Sequence, residues 1–184
     1  MNEKFCHCKR IRILEPGTSK PVYRKQADII IKVANMHYRV SNLAYIEAQG
    51  MEAAAQRMTD ICEDGNVDRV DDVMRTAVHE VYDILLPYSK SVTGCDNTAD
   101  DNEHTSGGWN ILLHLPDDFP EAEVDGIGTQ AVEYISARIL KDWCSLVKPE
   151  SMPLWDERMQ EAKENLSRAL MKRCRRVRRT MSTF

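Results

Sequence analysis

Apolar positions along the chain repeat mainly at helical spacing. From Gln26 to Ala48 the residues Ile29, Ile30, Val33, Met36, Val40, Leu43 and Ile46 recur at threes and fours, which predicts an amphipathic helix buried along that face. Gly50 breaks it, and Met51–Cys62 has the composition of a short second helix. Glu63-Asp64-Gly65 reads as a turn, after which Asn66 is placed to cap a third helix. Asp68, Asp71 and Asp72 lie near the positive end of that helix's dipole. The third helix, Val67 to Tyr88, is expected to bury Val70, Val73, Ala77, Val81 and Leu85 and to stop near Pro87.

Two more helices follow from the same spacing. Val124–Leu146 presents Ile127, Ala131, Ile135, Leu140 and Trp143. Pro153–Arg178 presents Trp155, Met159, Ala162, Leu166, Leu170 and Val177. Between the third and fourth helices, residues 90–108 hold almost no apolar side chain and are expected to form a mobile acidic loop. Trp109–Leu115 is the one clear strand, closed by Pro116. A lone strand cannot satisfy its backbone groups. It is expected to pair with another part of the chain, such as Arg12–Leu14, or with a neighbouring subunit.

The first 25 residues show no sustained period, and Pro16, Gly17 and Pro21 interrupt them. The fold expected is therefore mainly α: a four- to five-helix bundle with a small β element (one strand or hairpin). An extended basic arm (1–25) precedes a single helical domain (26–178), and a short tail (179–184) follows it.

The formal net charge of −4 conceals a strong asymmetry. Residues 1–25 carry seven Lys/Arg against two acids, and residues 168–184 carry seven and no acid. The 142 residues between hold 11 basic and 27 acidic side chains. An acidic body with two basic ends repels polyanions over most of its surface, while either end can contact one, or contact the body of a second copy. The cations expected to contact a partner or DNA are Lys172, Arg173, Arg175, Arg176, Arg178 and Arg179 at one end and Lys9, Arg10 and Arg12 at the other. A helix dipole accounts for one or two cations at a helix C-terminus, not six.

Other chemistry is thin. No stretch approaches the roughly 20 apolar residues that span a bilayer, so no membrane partner is expected. The N-terminal residues lack the apolar segment of a secretory signal, and six irregularly spaced cysteines read as reduced thiols. The segment Asp60–Asp71 matches a calcium loop at Asp60, Asp64, Gly65, Val67 and Asp68. It places Cys62 where an oxygen ligand belongs and the short Asp71 where a bidentate Glu belongs, so it is read as a turn. Cys6-His7-Cys8 has no second Cys/His pair and is not read as a zinc site. The five histidines accompany no nucleophile pattern, there is no glycine-rich phosphate loop, and the acids around Pro120 read as a solvated loop. No catalytic residue, metal or cofactor is expected.

The stretch WNILLHLPDDFPEAEVDGIGTQAVEYISARILKDWCSLVKPESMPLW, followed by ENLSRALMKRCRRVRR, carries a resemblance. A strand ends in Leu-Pro, and a helix bears Tyr134-Ile135 and then Asp142-Trp143. A Pro-Glu link then leads to a helix with an arginine-rich end. In this the chain resembles small, mostly helical proteins of the structural modules of tailed phages and prophages of Bacteroides-like bacteria. It is similar in layout to the helical head–tail connector (adaptor) proteins that ring the portal. The resemblance implies a non-enzymatic virion protein, assembled in the bacterial host cytoplasm. It would form a homo-oligomeric ring and contact portal and tail or neck proteins. A nucleic-acid-binding or regulatory module using the basic C-terminal end, with non-specific DNA contact, stays open beside it, as does an enzyme with an unrecognised site.

Overall fold

Ala27, Ile29 and Ile31 are fully buried while Asp28, Ile30 and Lys32 between them are not, a period of two that belongs to a strand. The computed structural model describes residues 6–13, 22–49, 55–89, 102–105, 107–115 and 118–172. Its elements in chain order are β1 (Cys6–Ile13), β2 (Val22–Lys32), α1 (Val33–Ala48), the short α2 (Ala55–Thr59), α3 (Val67–Ser89), β3 (Asn102–Thr105), β4 (Gly108–Leu115), α4 (Val124–Val147) and α5 (Met152–Leu170). Single 3-10 turns precede α3, α4 and α5. Among the described residues the chain is mostly helical, as its apolar spacing predicts, with five α-helices and a small β element.

That element is an antiparallel sheet of four strands in the order β1-β2-β4-β3. Four expectations change with it. The helix expected from Gln26 begins at Val33, because residues up to Lys32 are in β2. The basic arm is no separate extension, since Cys6–Ile13 pairs along β2 from Ile29 to Val22. The strand at 109–115 pairs inside the chain, with β2 on one side and β3 on the other, and Arg12 pairs with Tyr23 rather than with it. Residues 102–105 and 108, expected in a mobile loop, belong to a hairpin. Gly107 lies in its turn, and residues 90–101 and 106 lie outside the described residues.

Buried side chains alternate on one sheet face, Ala27, Ile29 and Ile31 from β2 with Ile111, Leu113 and Leu115 from β4. The helices cover that face. Central among them is α4, which buries Ile127, Ala131, Ile135, Leu140 and Trp143 as its spacing predicts, and on other faces Tyr134, Ile139 and Cys144. Such all-round burial requires neighbours on several sides. One is α5, antiparallel to it, with Trp155, Met159, Ala162 and Leu166 turned inward and Lys141 bonded to Asp156 at 2.6 Å. Another is α3, joined to α4 by Arg69–Asp142 at 2.8 Å and by Tyr134–Glu80 at 2.8 Å.

Of two helix ends, that of α3 falls within one residue of the expected Tyr88 and that of α5 departs from expectation. Pro87 sits inside α3, which runs on to Ser89. The proline lies in the last turn and only the final residues follow it, so few intrahelical bonds are disturbed. At the other end of the chain α5 closes at Leu170, with Met171 and Lys172 donating their amides to Arg168 and Ala169 in a tightened turn. The segment from 173 to 178, expected as a continuation of that helix, lies outside the described residues.

Candidate assembly interface

Helix α1 has an unusual division of residues between its two faces. Met36, Val40, Ala44 and Ala48, four apart, are buried against the core. Its two formally charged residues both turn toward α4 and its C-terminal end. Arg39 pairs with Glu133, and Glu47 accepts bonds from Lys148 at 2.8 Å and Ser151 at 2.5 Å. Its histidine is engaged as well, His37 Nε2 lying 2.7 Å from Asp71. Every exposed position that remains is uncharged: Ala34, Asn35, Tyr38, Asn42, Tyr45 and Ile46. Tyr38, Tyr45 and Ile46 are 73%, 63% and 61% exposed.

These three fall within one arc of roughly 100° at the α-helical repeat, with Asn35 and Asn42 inside it. A solvent-facing helix in an acidic chain ordinarily carries charge. The exposed side of α3 does, with Asp68, Arg69, Asp72, Arg75 and Asp83. Depletion of charge with enrichment of tyrosine and a large aliphatic is the composition of an interface centre. Ile46 was expected in the buried face and is instead exposed. Two small alanines, Ala44 and Ala48, hold the buried line in its place.

Two clefts lie beside α1, the first of them bordering this face. One of about 250 Å³ lies between the N-terminal halves of α1 and α4, lined by Ile31, Asn35, Met36, Tyr38, Gly128 and Val132. The other, about 330 Å³, lies between α1, α4 and α5, with Leu43, Gln130, Glu133, Trp155, Arg158 and Asn165 on its walls. In the second, the Arg158 guanidinium sits 4.6 Å from the centre of the Trp155 ring, a cation–π contact. The buried Trp155 indole N–H has no acceptor among the described residues. Both clefts are wide enough to receive a side chain from a neighbour.

Ionisable groups here serve structure. Burial would raise the Glu47 pKa, but the Lys148 and Ser151 bonds and the charges of Lys148 and Arg158 outweigh it and leave the carboxyl below its usual range. Burial raises Tyr134 well above the ordinary tyrosine value, and its bond to the Glu80 carboxylate adds to the effect. Burial also pushes the Cys144 thiol up to about 11 and the Cys62 thiol upward, away from thiolate chemistry.

The calcium-like segment is a turn. Asp60 accepts from Gln56 through its side chain and from Asn66 and Glu63 through its carbonyl, while Asp71 turns to His37. Among the described residues no three His, Cys, Asp or Glu side chains converge as a metal site. No helix among them is long and apolar enough to cross a membrane.

The predicted contact cations fall in separate places. Lys9, Arg10 and Arg12 lie in β1, opposite Gln26, Lys25 and Tyr23 of β2. Lys172 follows α5 and bonds to Glu123 at the start of α4, 2.7 Å away. Arg173, Arg175, Arg176, Arg178 and Arg179 lie outside the described residues. The α1 face was missed from sequence, although Arg39 and Glu47 are the only formal charges between Val33 and Ala48. Compared with known proteins, the chain matches no family model, no curated protein and no solved structure.

Proposed function

We propose that this chain is a non-enzymatic assembly protein that associates with copies of itself through the exposed face of α1. The observation that carries the reading is the uncharged surface formed by Tyr38, Asn42, Tyr45 and Ile46, whose helix directs its two formal charges into ion pairs with residues on or just beyond α4. A second copy is the occupant that the chemistry favours. The face is apolar and amide-rich, and it offers no charge that a polyanion would need.

The phage-like arrangement of the second half supports a more specific assignment: a virion component of the head–tail connector or neck, ring-forming and in contact with portal or tail proteins. Lys172 bears on the DNA-binding alternative, because it is paired with Glu123 rather than presented to solvent alone.

Sedimentation velocity on the wild type and on Tyr38→Lys/Tyr45→Lys tests self-association, with negative-stain images of any large species. The wild type sediments as an oligomer, with rings in the images, and the variant as a monomer whose unfolding midpoint is unchanged. A wild type that stays monomeric at every concentration and salt overturns the proposal.

A further inference from the structure

The strand order leaves β1 and β3 as the two edges of the sheet, each hydrogen-bonded on one side only among the described residues. An edge of this kind is a template for another strand, and proteins govern what pairs there chiefly with charge. The two edges differ in that respect. β1 (CHCKRIRI) carries Lys9, Arg10 and Arg12 and no acid. β3 (NEHT) carries Glu103 and no Lys or Arg, and in sequence no base intervenes between Lys90 and Glu103.

We infer that β1 of one copy pairs with β3 of the next, head to tail, so that the four-stranded sheet continues from subunit to subunit. This rests on the self-association proposed above and adds a second, head-to-tail contact to the one through α1.

Three observations converge on that contact. First, strand direction permits it. β1 is antiparallel to β2, β2 to β4 and β4 to β3, so β1 and β3 run in opposite directions. A neighbour placed in the same orientation therefore adds its β3 antiparallel to β1, with its helices on the same side of the sheet. Second, charge selects it. Pairing β1 with another β1 would bring Lys9, Arg10 and Arg12 against their own kind, and pairing β3 with β3 would set Glu103 near Glu103. Directly opposed like charges destabilise a strand pair, while opposite charges support it. By register Lys9 shares the sheet face of Glu103, whereas Arg10 and Arg12 belong to the other face and act on Glu103 only through their longer-range field. Third, the contact uses two different surfaces of each copy. Such a heterologous contact closes into a ring, or runs on as a filament if the rotation does not close.

The test is a charge swap read by light scattering at low salt. One variant carries Lys9→Glu, Arg10→Glu and Arg12→Glu, a second carries Glu103→Arg, and a third combines them. Each single-edge variant is expected to associate at least tenfold more weakly than the wild type, the triple substitution more so. The combined variant, and an equimolar mixture of the first two, recover mass. If the reversed edge fails to fold by circular dichroism, glutamine at the same three positions replaces it and is expected to weaken association in the same direction.

Hydrogen exchange supplies a readout independent of charge. Amides in Cys6–Ile13 and Asn102–Thr105 should exchange at least tenfold more slowly in the assembled wild type than in the monomeric Tyr38→Lys/Tyr45→Lys variant. Unchanged mass in both edge variants, or unchanged exchange on assembly, overturns edge pairing while leaving self-association standing. A wild type that never assembles overturns both.

Discussion

The indole N–H of Trp143 donates to the backbone carbonyl of Met58 across 3.2 Å, joining the middle of the chain to α4 between two buried residues. The short α2 has only five residues and cannot hold itself by helical bonds alone. Its place depends on Met58 and Ile61 in the core and on this bond. Trp143→Phe keeps most of the ring and orphans the Met58 carbonyl, which is expected to cost about 1–3 kcal/mol. Trp143→Ala adds a cavity and is expected to cost about 3–5 kcal/mol. Urea unfolding should show the midpoint falling in that order with the slope unchanged.

Gly108 governs where β4 meets the start of α1. Its φ is +157°, and a Cβ at this position would stand 2.1 Å from the Ile31 carbonyl oxygen. Opposite it in the ladder is Lys32, and next to it the Gly107 carbonyl accepts from Val33 N at 3.1 Å, the first residue of α1. Gly108→Ala must push backbone from backbone at the junction of sheet and helix. A loss of about 2–4 kcal/mol is expected. Gly65, with nothing within 4 Å of its added Cβ, is the control, and Gly65→Ala should change stability by less than about 1 kcal/mol.

Glu47 links stability to pH. Its folded pKa lies below the ordinary value, so the unfolded chain binds its proton more readily. Its contribution is complete above the unfolded pKa and is lost as pH falls from that value through the folded one, a window below about pH 4.5. Glu47→Gln should therefore be less stable than wild type at pH 7, with the gap narrowing as the pH drops toward 3. A gap that stays constant over that range would mean that packing, not the Lys148 and Ser151 bonds, carries the effect.

The helical spacing shows where α3 and α4 begin, because their apolar positions fit one period and no other. Residues 26–32 fit two. Ile29, Val33, Met36 and Val40 step at helical intervals, while Ala27, Ile29 and Ile31 alternate, and three successive isoleucines are strand-prone. What decides between them is the ladder with β4, more than 70 residues away, which local spacing cannot register. β1 was hidden for a related reason, since Ile11 and Ile13 alternate over only four residues and Cys6 and Cys8 before them fall on the opposite parity. In α1 the helix was legible and its buried side only partly, because Ala44 and Ala48 weigh little beside Ile46 in an apolar count. That same miscount concealed the exposed stripe, although the scarcity of charge from 33 to 48 was already visible.

Tyr134 offers a test at the opposite end of the pH scale. Its hydroxyl, on the central helix, donates to Glu80 at 2.8 Å, and Arg138 approaches the same carboxylate at 3.6 Å. Tyr134→Phe removes the donor with little change of shape and should lower stability at neutral pH by about 1–2 kcal/mol, as for a partly exposed hydrogen bond to a charged group. Because burial and Glu80 raise the folded pKa above the ordinary value of 10, the unfolded chain loses its proton first. The hydroxyl's contribution is thus complete below pH 10 and declines as pH rises from there toward the folded pKa. The difference between wild type and variant should hold steady from pH 7 to 9 and shrink above 10. Tyrosinate absorbance of the folded protein near pH 11 should be the same in both, since Tyr134 stays protonated there. A lower tyrosinate signal in the variant at that pH would show that Tyr134 ionises freely, and that its bond to Glu80 does not hold the proton.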